Sequence, residues 1–228
     1  MGFIAIGDIH GCAETLDLLL DRLAPGPDDH LVFVGDYIDR GPDARGVIDR
    51  LLALREEQPC TFLRGNHEAL MLDYLDRGAF DLWRANGGLT TLDSYRERDA
   101  PGPQGTAYPG RIRLLDEHVD FIRGTRLYFD TPEFFFVHAG LKPDRSIAEN
   151  VALFDDEVFL WERSHLKASH LAWEKTVVCG HTPQPEPLVR DRLIAIDTGC
   201  VYHTHPLLGR LTAIRLPERE LLEVRYTG

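Results

Sequence analysis

Six short apolar runs, each followed directly by polar residues beside a glycine, set the strongest limit on how this chain can fold. The runs cover residues 3–6, 31–34, 60–63, 134–137, 176–179 and 193–196. Runs of this length, apolar at almost every position, are typical of strands that are buried on both faces of a sheet. The first of them leads into the segment Gly7-Asp8-Ile9-His10-Gly11. The chain is therefore predicted to carry polar side chains at the ends of its buried strands.

Two stretches with a helical repeat separate the first three of these strands. Residues 13–23 place Leu16, Leu19 and Leu20 on one face, and residues 44–54 repeat the pattern. Strands that alternate with helices indicate an α/β fold. Ligands in such folds bind at the carboxyl ends of the strands, which is where the polar segments lie. We therefore expect the segments to converge on one site.

Length, charge and cysteine content limit the possible partners. A chain of 228 residues can bury a two-layer core, so we expect one domain over residues 1–228, with residues 69–130 inserted as a helical cap. The net charge of −12 would repel nucleic acid and anionic membranes, and neither is expected as a partner. Neither an export signal nor a membrane span is predicted, and the four cysteines lack metal-finger spacing, which indicates a cytoplasmic protein without disulfides and leaves its oligomeric state open.

The polar segments contain side chains of the types that bind divalent metals through oxygen or nitrogen. These side chains are Asp8, His10, Asp36, Asn66, His138 and His181. Six ligands are more than one catalytic zinc uses, and they suit two ions, about 3.5 to 4 Å apart, that share a carboxylate and a water. Asp36 follows the middle one of the first three strands, so it is predicted to bridge the two ions.

Each of these residues has a simpler explanation when it is taken alone. An Asp after a strand commonly caps the next helix, and a buried His commonly satisfies a hydrogen bond. The placement of all six at strand ends, with the spacing Asp8-x-His10, favours a metal site over six unrelated caps. His67 directly follows Asn66, which places a group that can move a proton beside that site.

The motifs GDIHG, GDYIDRG, RGNHE, HAG and GHT occur in this order and resemble those of the phosphoprotein phosphatase family of calcineurin-like metallophosphoesterases. Their spacing is similar to that of the compact bacterial and phage serine/threonine protein phosphatases, and the resemblance covers residues 7–199. It implies a sandwich of two mixed β-sheets flanked by helices, with a small helical cap. It also implies two divalent metal ions, usually manganese, with iron or zinc as alternatives.

The resemblance further implies a role for each motif residue. One ion would be held by Asp8, His10 and Asp36, and the other by Asp36, Asn66, His138 and His181. His67 would be the general acid that protonates the leaving alkoxide, and Asp39 would orient it. The substrate phosphate would be bound by Arg40, Asn66 and, from a Trp-x-Arg element, Arg163.

The charges at such a site are suited to phosphate. Two divalent cations carry +4 against −2 from Asp8 and Asp36 and −1 from a bridging hydroxide, which leaves a surplus of about +1. This surplus would attract a phosphate dianion into an acidic protein. The metal-bridging hydroxide would then attack phosphorus directly, while the planar fork of an arginine stabilises the equatorial oxygens.

Three functions remain open at this point. The first is a serine/threonine protein phosphatase, a phosphomonoesterase that acts on phosphoserine or phosphothreonine, with phosphotyrosine or a small phosphoester as further substrates. The second is a dinucleoside polyphosphate hydrolase of the diadenosine tetraphosphate type, because such hydrolases resemble the same motif set; Glu68 and the complete GDYIDRG motif favour the first. The third is a scaffold without activity, which would be expected to lack ligands, and every predicted ligand is present.

The segment 69–130 is expected to lie over one edge of the site and to govern substrate selectivity. Its last helix is predicted over residues 89–98, followed by a Pro/Gly-rich surface loop over residues 99–110. The sequence Trp83-x-x-Asn86-Gly87-Gly88 resembles that of bacterial members, although a plain helix break at the two glycines explains it equally well.

The remaining polar residues carry weaker signals. Asp197 is expected to orient a metal-bound histidine, with a turn-forming role as the alternative. His165 and His170 are expected to be solvated, and Tyr202 is a weaker candidate for the site. Residues 211–226 are predicted to form a closing hairpin.

Overall fold

The structure is a computed structural model that describes residues 2–97 and 111–228. Its strands are β1 (Phe3–Ile6), β2 (His30–Phe33), β3 (Cys60–Phe62), β4 (Arg96–Glu97), β5 (Arg111–Ile112), β6 (Tyr128–Asp130), β7 (Phe134–Val137), β8 (Thr176–Cys179), β9 (Leu188–Val189), β10 (Leu193–Ala195), β11 (Arg210–Leu216) and β12 (Glu220–Arg225). Its α-helices are α1 (Ala13–Leu23), α2 (Ala44–Glu57), α3 (Asn66–Arg77), α4 (Phe80–Ala85), α5 (Gly88–Ser94), α6 (Asp116–Arg123), α7 (Ile147–Leu153) and α8 (Asp156–Trp161), and a 3₁₀ turn covers Ser164–Lys167. None of the helices in these ranges has the length and apolarity needed to cross a lipid bilayer.

Two mixed sheets form the framework of the fold. The first has the strand order β12-β11-β1-β2-β3. Strands β1, β2 and β3 run parallel to one another, β11 pairs antiparallel with β1, and β12 pairs antiparallel with β11. The second has the order β6-β7-β8-β10-β9, in which β7, β8 and β10 run parallel between two antiparallel edge strands. The predicted sandwich of two mixed sheets flanked by helices is confirmed.

Alternate residues of each central strand pack on opposite sides of its sheet. Ile4 and Ile6 of β1 face the helices α1 and α2, whereas Ala5 between them packs against Phe136 and Val178 of the second sheet. The outer face of the second sheet is covered in the same way by α7 and α8. Because both faces of β1, β7, β8 and β10 are buried, nearly every position of these strands is apolar, and the predicted ligands follow the ends of such strands.

The predicted helix over residues 89–98 was too long. Helix α5 ends at Ser94, whose hydroxyl donates to the carbonyl of Thr91 at 2.7 Å, and β4 follows and pairs with β5. A serine that bonds back to the preceding turn competes with continuation of the helix. The predicted loop over residues 99–110 lies outside the described residues, and the single domain with a cap at residues 69–130 stays a prediction.

The closing hairpin is confirmed at the carboxyl end of the chain. Strands β11 and β12 pair antiparallel, with Ala213 opposite Leu222. Strand β11 also pairs with β1, so that Ala213 lies next to Ile6. The hairpin therefore closes the side of the first sheet that carries the first polar segment.

Candidate active site

The loops that follow β1, β2, β3, β7 and β8 meet at one end of the two sheets. Five of the six predicted metal ligands lie on these loops and Asn66 is the first residue of α3; all six are buried: Asp8, His10, Asp36, Asn66, His138 and His181. Three of them have left-handed backbones, with φ values of 48° at His10, 53° at Asp36 and 67° at His181. Such conformations cost about 1 to 3 kcal/mol each for residues other than glycine, and persist where surrounding contacts enforce them.

Asn66, His138 and His181 form one group of donor atoms. His138 Nε2 lies 3.0 Å from Asn66 Oδ1 and 3.2 Å from His181 Nδ1, and the latter two atoms are 2.9 Å apart. His138 Nδ1 lies 2.9 Å from the carbonyl of Val34 and donates to it. Nε2 is therefore the nitrogen whose lone pair faces the group, which is the arrangement of a histidine that ligates a metal.

His10 belongs to a second group, and Asp36 is shared by both. His10 Nε2 lies 3.4 Å from Asp36 Oδ2, while His10 Nδ1 donates to the carbonyl of Ile38 at 2.9 Å. Asp36 Oδ1 lies 3.5 Å from His138 Nε2 in the first group. One carboxylate oxygen thus faces each group, as a carboxylate that bridges two ions requires.

Asp8 contributes a buried oxygen that has no hydrogen-bond partner. Its Oδ2 accepts from the backbone N–H of His181 at 2.9 Å, whereas Oδ1 is unpaired among the described residues. Burial, followed by the charges of Asp197 and Asp36, raises the pKa of Asp8 well above its usual range. A buried carboxylate with other carboxylates nearby is stabilised by a cation. The environment of Asp8 therefore fits a divalent ion beside it.

The histidines of these groups favour their neutral form. Burial lowers the pKa of His10 to about 3 and that of His181 to about 2, and it also lowers the pKa of His138. Neutral imidazole is the form that ligates a metal. Together with carboxylate and amide oxygens, these nitrogens suit divalent ions such as manganese, iron or zinc.

His67 and Asp39 form a buried pair beside the two groups. His67 Nδ1 lies 2.6 Å from Asp39 Oδ2, and His67 Nε2, which lacks a hydrogen-bond partner among the described residues, is 3.9 Å from Asp36 Oδ2. Burial lowers the pKa of His67, but the charge of Asp36 and the bond to Asp39 outweigh burial and raise the pKa above its ordinary value. His67 therefore retains a proton more readily than the neighbouring histidines, as a proton donor must.

A cavity of about 110 Å³ opens over the donor groups. It is lined by Asp36, Arg40, Asn66, His67, Asn86, Trp161, Arg163, His181, Pro183 and Tyr202. Arg40 Nη1 lies 2.6 Å from His10 Nε2, and Arg163 Nε lies 3.0 Å from His181 Nε2. Both predicted phosphate-binding arginines therefore reach the donor groups.

Part of the cavity rim was missed or given little weight in the sequence analysis. The ring of Tyr202 lies 5.6 Å from the Arg40 guanidinium, and the ring of Trp161 lies 5.7 Å from that of His181. Trp161 precedes Arg163 in the Trp-x-Arg element, so that element was the available signal. Tyr202 is brought to the rim by tertiary packing, which no local pattern encodes.

The family model described as calcineurin-like phosphoesterase matches residues 1–211 of this chain. The chain belongs to the calcineurin-like phosphoesterases. Family membership implies divalent metal ions, and two groups of side chains place their ligand atoms within 4.8 Å of one another. These groups are His10 with Asp36 and His67, and Asp36 with His138 and His181.

If the distances between ligand atoms were the only criterion, His67 and not Asp8 would be assigned as the metal ligand beside His10 and Asp36 in this phosphoesterase. Two observations favour Asp8. His67 has its Nδ1 bonded to Asp39 and a raised pKa, which opposes the loss of a proton that ligation needs. Asp8 and His67 each have a buried polar atom without a partner among the described residues, but the Asp8 carboxylate also lies near Asp197 and Asp36, so that a cation would stabilise it. We therefore retain Asp8 as the predicted ligand and His67 as the predicted acid.

Two curated relatives of the phosphoesterase have different names. The asymmetrical bis(5'-nucleosyl)-tetraphosphatase PrpE of Anoxybacillus flavithermus is 28% identical over 247 residues, covering 97% of this chain and 93% of the relative. Serine/threonine-protein phosphatase 1 of Salmonella typhimurium is 32% identical over 214 residues, covering 92% of this chain and 90% of the relative. The relatives thus agree on hydrolysis of phosphate esters or anhydrides and differ in substrate.

Solved structures support the fold of the phosphoesterase. A protein described as a candidate diadenosine tetraphosphatase superposes with a TM-score of 0.69 at 24% identity, covering 100% of this chain and 94% of that chain. A protein serine/threonine phosphatase from Saccharomyces cerevisiae superposes with a TM-score of 0.63 at 13% identity, covering 100% and 80%. At these identities the likeness shows the fold alone.

Glu68, which in the sequence only distinguishes two classes of relative, bonds to the loop that carries Asp36 and to the start of α3. Its Oε2 accepts from the backbone N–H groups of Asp36 (2.9 Å) and Gly65 (2.8 Å), and its Oε1 accepts from those of Tyr37 (2.8 Å) and Ile38 (3.4 Å). Burial, followed by the charge of Asp36, raises the pKa of Glu68 to about 7. One carboxylate thus fixes the left-handed turn at Asp36 to the start of α3.

Replacing Glu68 with glutamine is expected to lower the free energy of unfolding by about 2 kcal/mol or more. The amide would turn an NH₂ group toward buried N–H donors, and each buried donor left without an acceptor costs about 1 to 3 kcal/mol. Urea unfolding of the variant would measure the loss. Glu218→Gln, an exposed change in the closing hairpin, is the matched control. Equal unfolding midpoints for the two variants would contradict this role of Glu68.

Two weaker predictions need correction. His165 is buried, not solvated, because the 3₁₀ turn directs its ring inward, where Nε2 lies 3.7 Å from Cys179 Sγ and the ring packs near Trp173. His170 is exposed, as predicted. Asp197 forms no hydrogen bond with a histidine of the described residues; its Oδ1 accepts from the N–H of Gly199 at 2.8 Å. The alternative turn-forming role of Asp197 is therefore confirmed.

Proposed function

We propose that this protein is a metal-dependent phosphomonoesterase that removes phosphate from phosphoserine or phosphothreonine in proteins, with phosphotyrosine and small phosphoesters as further substrates. The observation that carries the proposal is the buried His67–Asp39 pair beside the shared carboxylate of Asp36. An alkoxide is a poor leaving group that gains much from protonation, whereas the phosphate released from a polyphosphate chain leaves readily. A proton donor with a raised pKa is therefore most useful against an alkyl phosphate.

The cations of the cavity support the same class of substrate. Within the lining residues, the only permanent positive charges are those of Arg40 and Arg163, and both point to the donor groups. Two guanidinium forks over a cavity of about 110 Å³ match the oxygens of one phosphoryl group. A tetraphosphate chain carries more negative charges than one phosphoryl group, and the described residues that line the cavity provide no third permanent cation to neutralise them.

The roles of the side chains follow from their positions. Two divalent ions, for which we favour manganese over iron or zinc, would be held by the two donor groups and Asp8, and would supply an activated water and neutralise phosphate charge. Arg40, Arg163 and the amide of Asn66 would hold the phosphoryl oxygens. His67 Nε2 would deliver its proton to the leaving oxygen while Asp39 keeps the proton of Nδ1 in place.

Dinucleoside tetraphosphate hydrolysis is the second candidate function. It is supported by the names of the bis(5'-nucleosyl)-tetraphosphatases, whose matched regions include nearly the whole chain. The rings of Trp161 and Tyr202 at the rim could receive a nucleobase, which keeps this candidate open to test.

A paired rate assay would separate the two candidates. Metal-stripped protein is reconstituted with Mn²⁺ and given a phosphoserine/phosphothreonine peptide or diadenosine tetraphosphate at matched concentrations, with metal-free protein as the control for each. The proposal predicts much faster phosphate release from the peptide, and only with metal. Faster cleavage of the dinucleotide would transfer the assignment to the second candidate, and inactivity on both would support a scaffold.

A further inference from the structure

The carboxylate of Asp39 is held by more groups than His67. Trp83 Nε1 donates to both oxygens of Asp39, at 3.0 Å and 2.9 Å, and the hydroxyl of Thr91 donates to Oδ1 at 2.6 Å. The same hydroxyl accepts from the backbone N–H of Asp39 at 2.8 Å. Asp39, His67, Trp83 and Thr91 are all completely buried. Solvent therefore cannot replace any of these contacts.

These partners come from helices that carry none of the predicted metal ligands. Trp83 lies on α4 and Thr91 on α5. The two glycines between them are required by close contacts, because a Cβ at Gly88 would lie 2.6 Å from the Trp83 indole and a Cβ at Gly87 would lie 2.9 Å from the Arg40 side chain. The motif at residues 83–88 is therefore more than a helix break, since it seats an indole against the acidic partner of His67.

The backbone at Asp39 needs such support. Asp39 and Arg40 have consecutive left-handed φ values of 70° and 69°. The Arg40 N–H lies 3.4 Å from the carbonyl of Gly87, so the α4–α5 connection also contacts the residue that follows Asp39. The Thr91 hydroxyl fixes both the main chain and the carboxylate of one strained residue. Contacts from α4 and α5 therefore fix the position of Asp39 Oδ2, the carboxylate oxygen that contacts His67 Nδ1.

We propose that Trp83 and Thr91 are positioning residues for the acid step: they orient Asp39, which holds His67 with its Nε2 toward the leaving oxygen. This inference rests on the proposed function, because only hydrolysis with a proton-requiring leaving group draws on the acid. A residue that supports folding alone would affect all substrates equally. A residue that positions the acid affects an alkyl phosphate far more than an aryl phosphate, whose phenolate leaves without a proton.

The test uses Trp83→Phe and Thr91→Val in the full-length, Mn²⁺-loaded protein. Turnover is measured on a phosphoserine peptide and on p-nitrophenyl phosphate, and bound Mn²⁺ is counted for each variant. We expect each variant to lose about tenfold or more on the peptide and about twofold or less on the aryl ester, with Mn²⁺ content unchanged. Thr91→Ser, which keeps the hydroxyl, is expected to restore the wild-type ratio of the two rates.

The two control variants remove an indole N–H and a threonine hydroxyl that do not contact Asp39. Trp173→Phe removes a buried indole N–H that donates to the carbonyl of Lys142, and Thr131→Val removes a hydroxyl that bonds the backbone of Phe134. Both are expected to keep the wild-type ratio. Equal losses on the two substrates, or no loss in Trp83→Phe and Thr91→Val, would overturn the inference while leaving the proposed function intact. A wild-type protein without activity on either ester would overturn both.

Discussion

Turnover of a phosphoserine peptide is expected to fall by about a hundredfold or more when His67 is replaced by asparagine, because positioned acid catalysis contributes about 10² to 10⁴. The loss on p-nitrophenyl phosphate is expected to be much smaller, since phenolate leaves without protonation. Asparagine keeps a polar side chain beside Asp39, but its amide N–H groups are not acidic enough to protonate the leaving oxygen. Steady-state rates on the two substrates, measured with saturating Mn²⁺, provide the comparison.

His170→Asn is a matched control for this substitution, because His170 is exposed and far in sequence from the buried pair. It is expected to leave both rates unchanged. Equal losses on the two substrates in His67→Asn would assign His67 to metal binding or folding. That outcome would support the geometric grouping of His67 with His10 and Asp36 over the acid role.

Replacing Asp36 with asparagine is expected to reduce turnover on every substrate, on the order of a thousandfold, because metal ions contribute several kcal/mol to charge stabilisation. Asp36 presents one oxygen to His10 and the other to His138, so neutralising it weakens both donor groups together. Calorimetric titration with Mn²⁺ would report the loss of affinity directly. Asp81→Asn, whose side chain is 99% exposed, is the control.

The pattern of metal loss in Asp36→Asn separates two arrangements. If Asp36 bridges the ions, affinity falls at both sites. Retention of one ion at wild-type affinity would place Asp36 in a single site. If Asp36 does bridge the ions, Asn66→Ala is expected to lower the Mn²⁺ affinity of one site only, because Asn66 contacts His138 and His181 and belongs to one donor group.

The convergence of the metal ligands could be predicted from sequence because its cause is local. Each apolar run forms a strand, and parallel strands end at the same edge of their sheet, so Asp8, Asp36 and Asn66 follow from β1, β2 and β3 alone. The same reasoning applies to His138 and His181 after β7 and β8. Functional residues that directly follow a strand can therefore be identified from the linear sequence.

The supporting contacts could not be predicted because they join distant parts of the chain. Thr91 reaches Asp39 across 52 positions, and Glu68 reaches Tyr37 across 31. His165 was expected to be solvated because histidines outside a site commonly are, whereas packing against Trp173 buries it. Helix α5 ended early for a subtler reason, the bond from Ser94 to its own preceding turn.

We expect substrate choice to be decided at the cavity rather than at the donor groups. The donor groups and arginines suit any phosphoryl group, so relatives named as tetraphosphatases and as a protein phosphatase can share them. Under the proposed function, the His67–Asp39 pair, with Trp83 and Thr91 in contact with Asp39, would favour substrates whose leaving oxygen needs a proton. The rim residues Trp161 and Tyr202 are where a nucleotide-specific variant would be expected to differ.

The most direct test of a two-ion phosphomonoesterase is a Mn²⁺ titration of the metal-free protein. Calorimetry measures how many ions bind, and phosphate release from a phosphoserine peptide is measured in the same samples. Our expectation is that two ions bind per chain and that phosphate release rises with occupancy of both. Binding of a single ion, or phosphate release that persists after chelation, would contradict it.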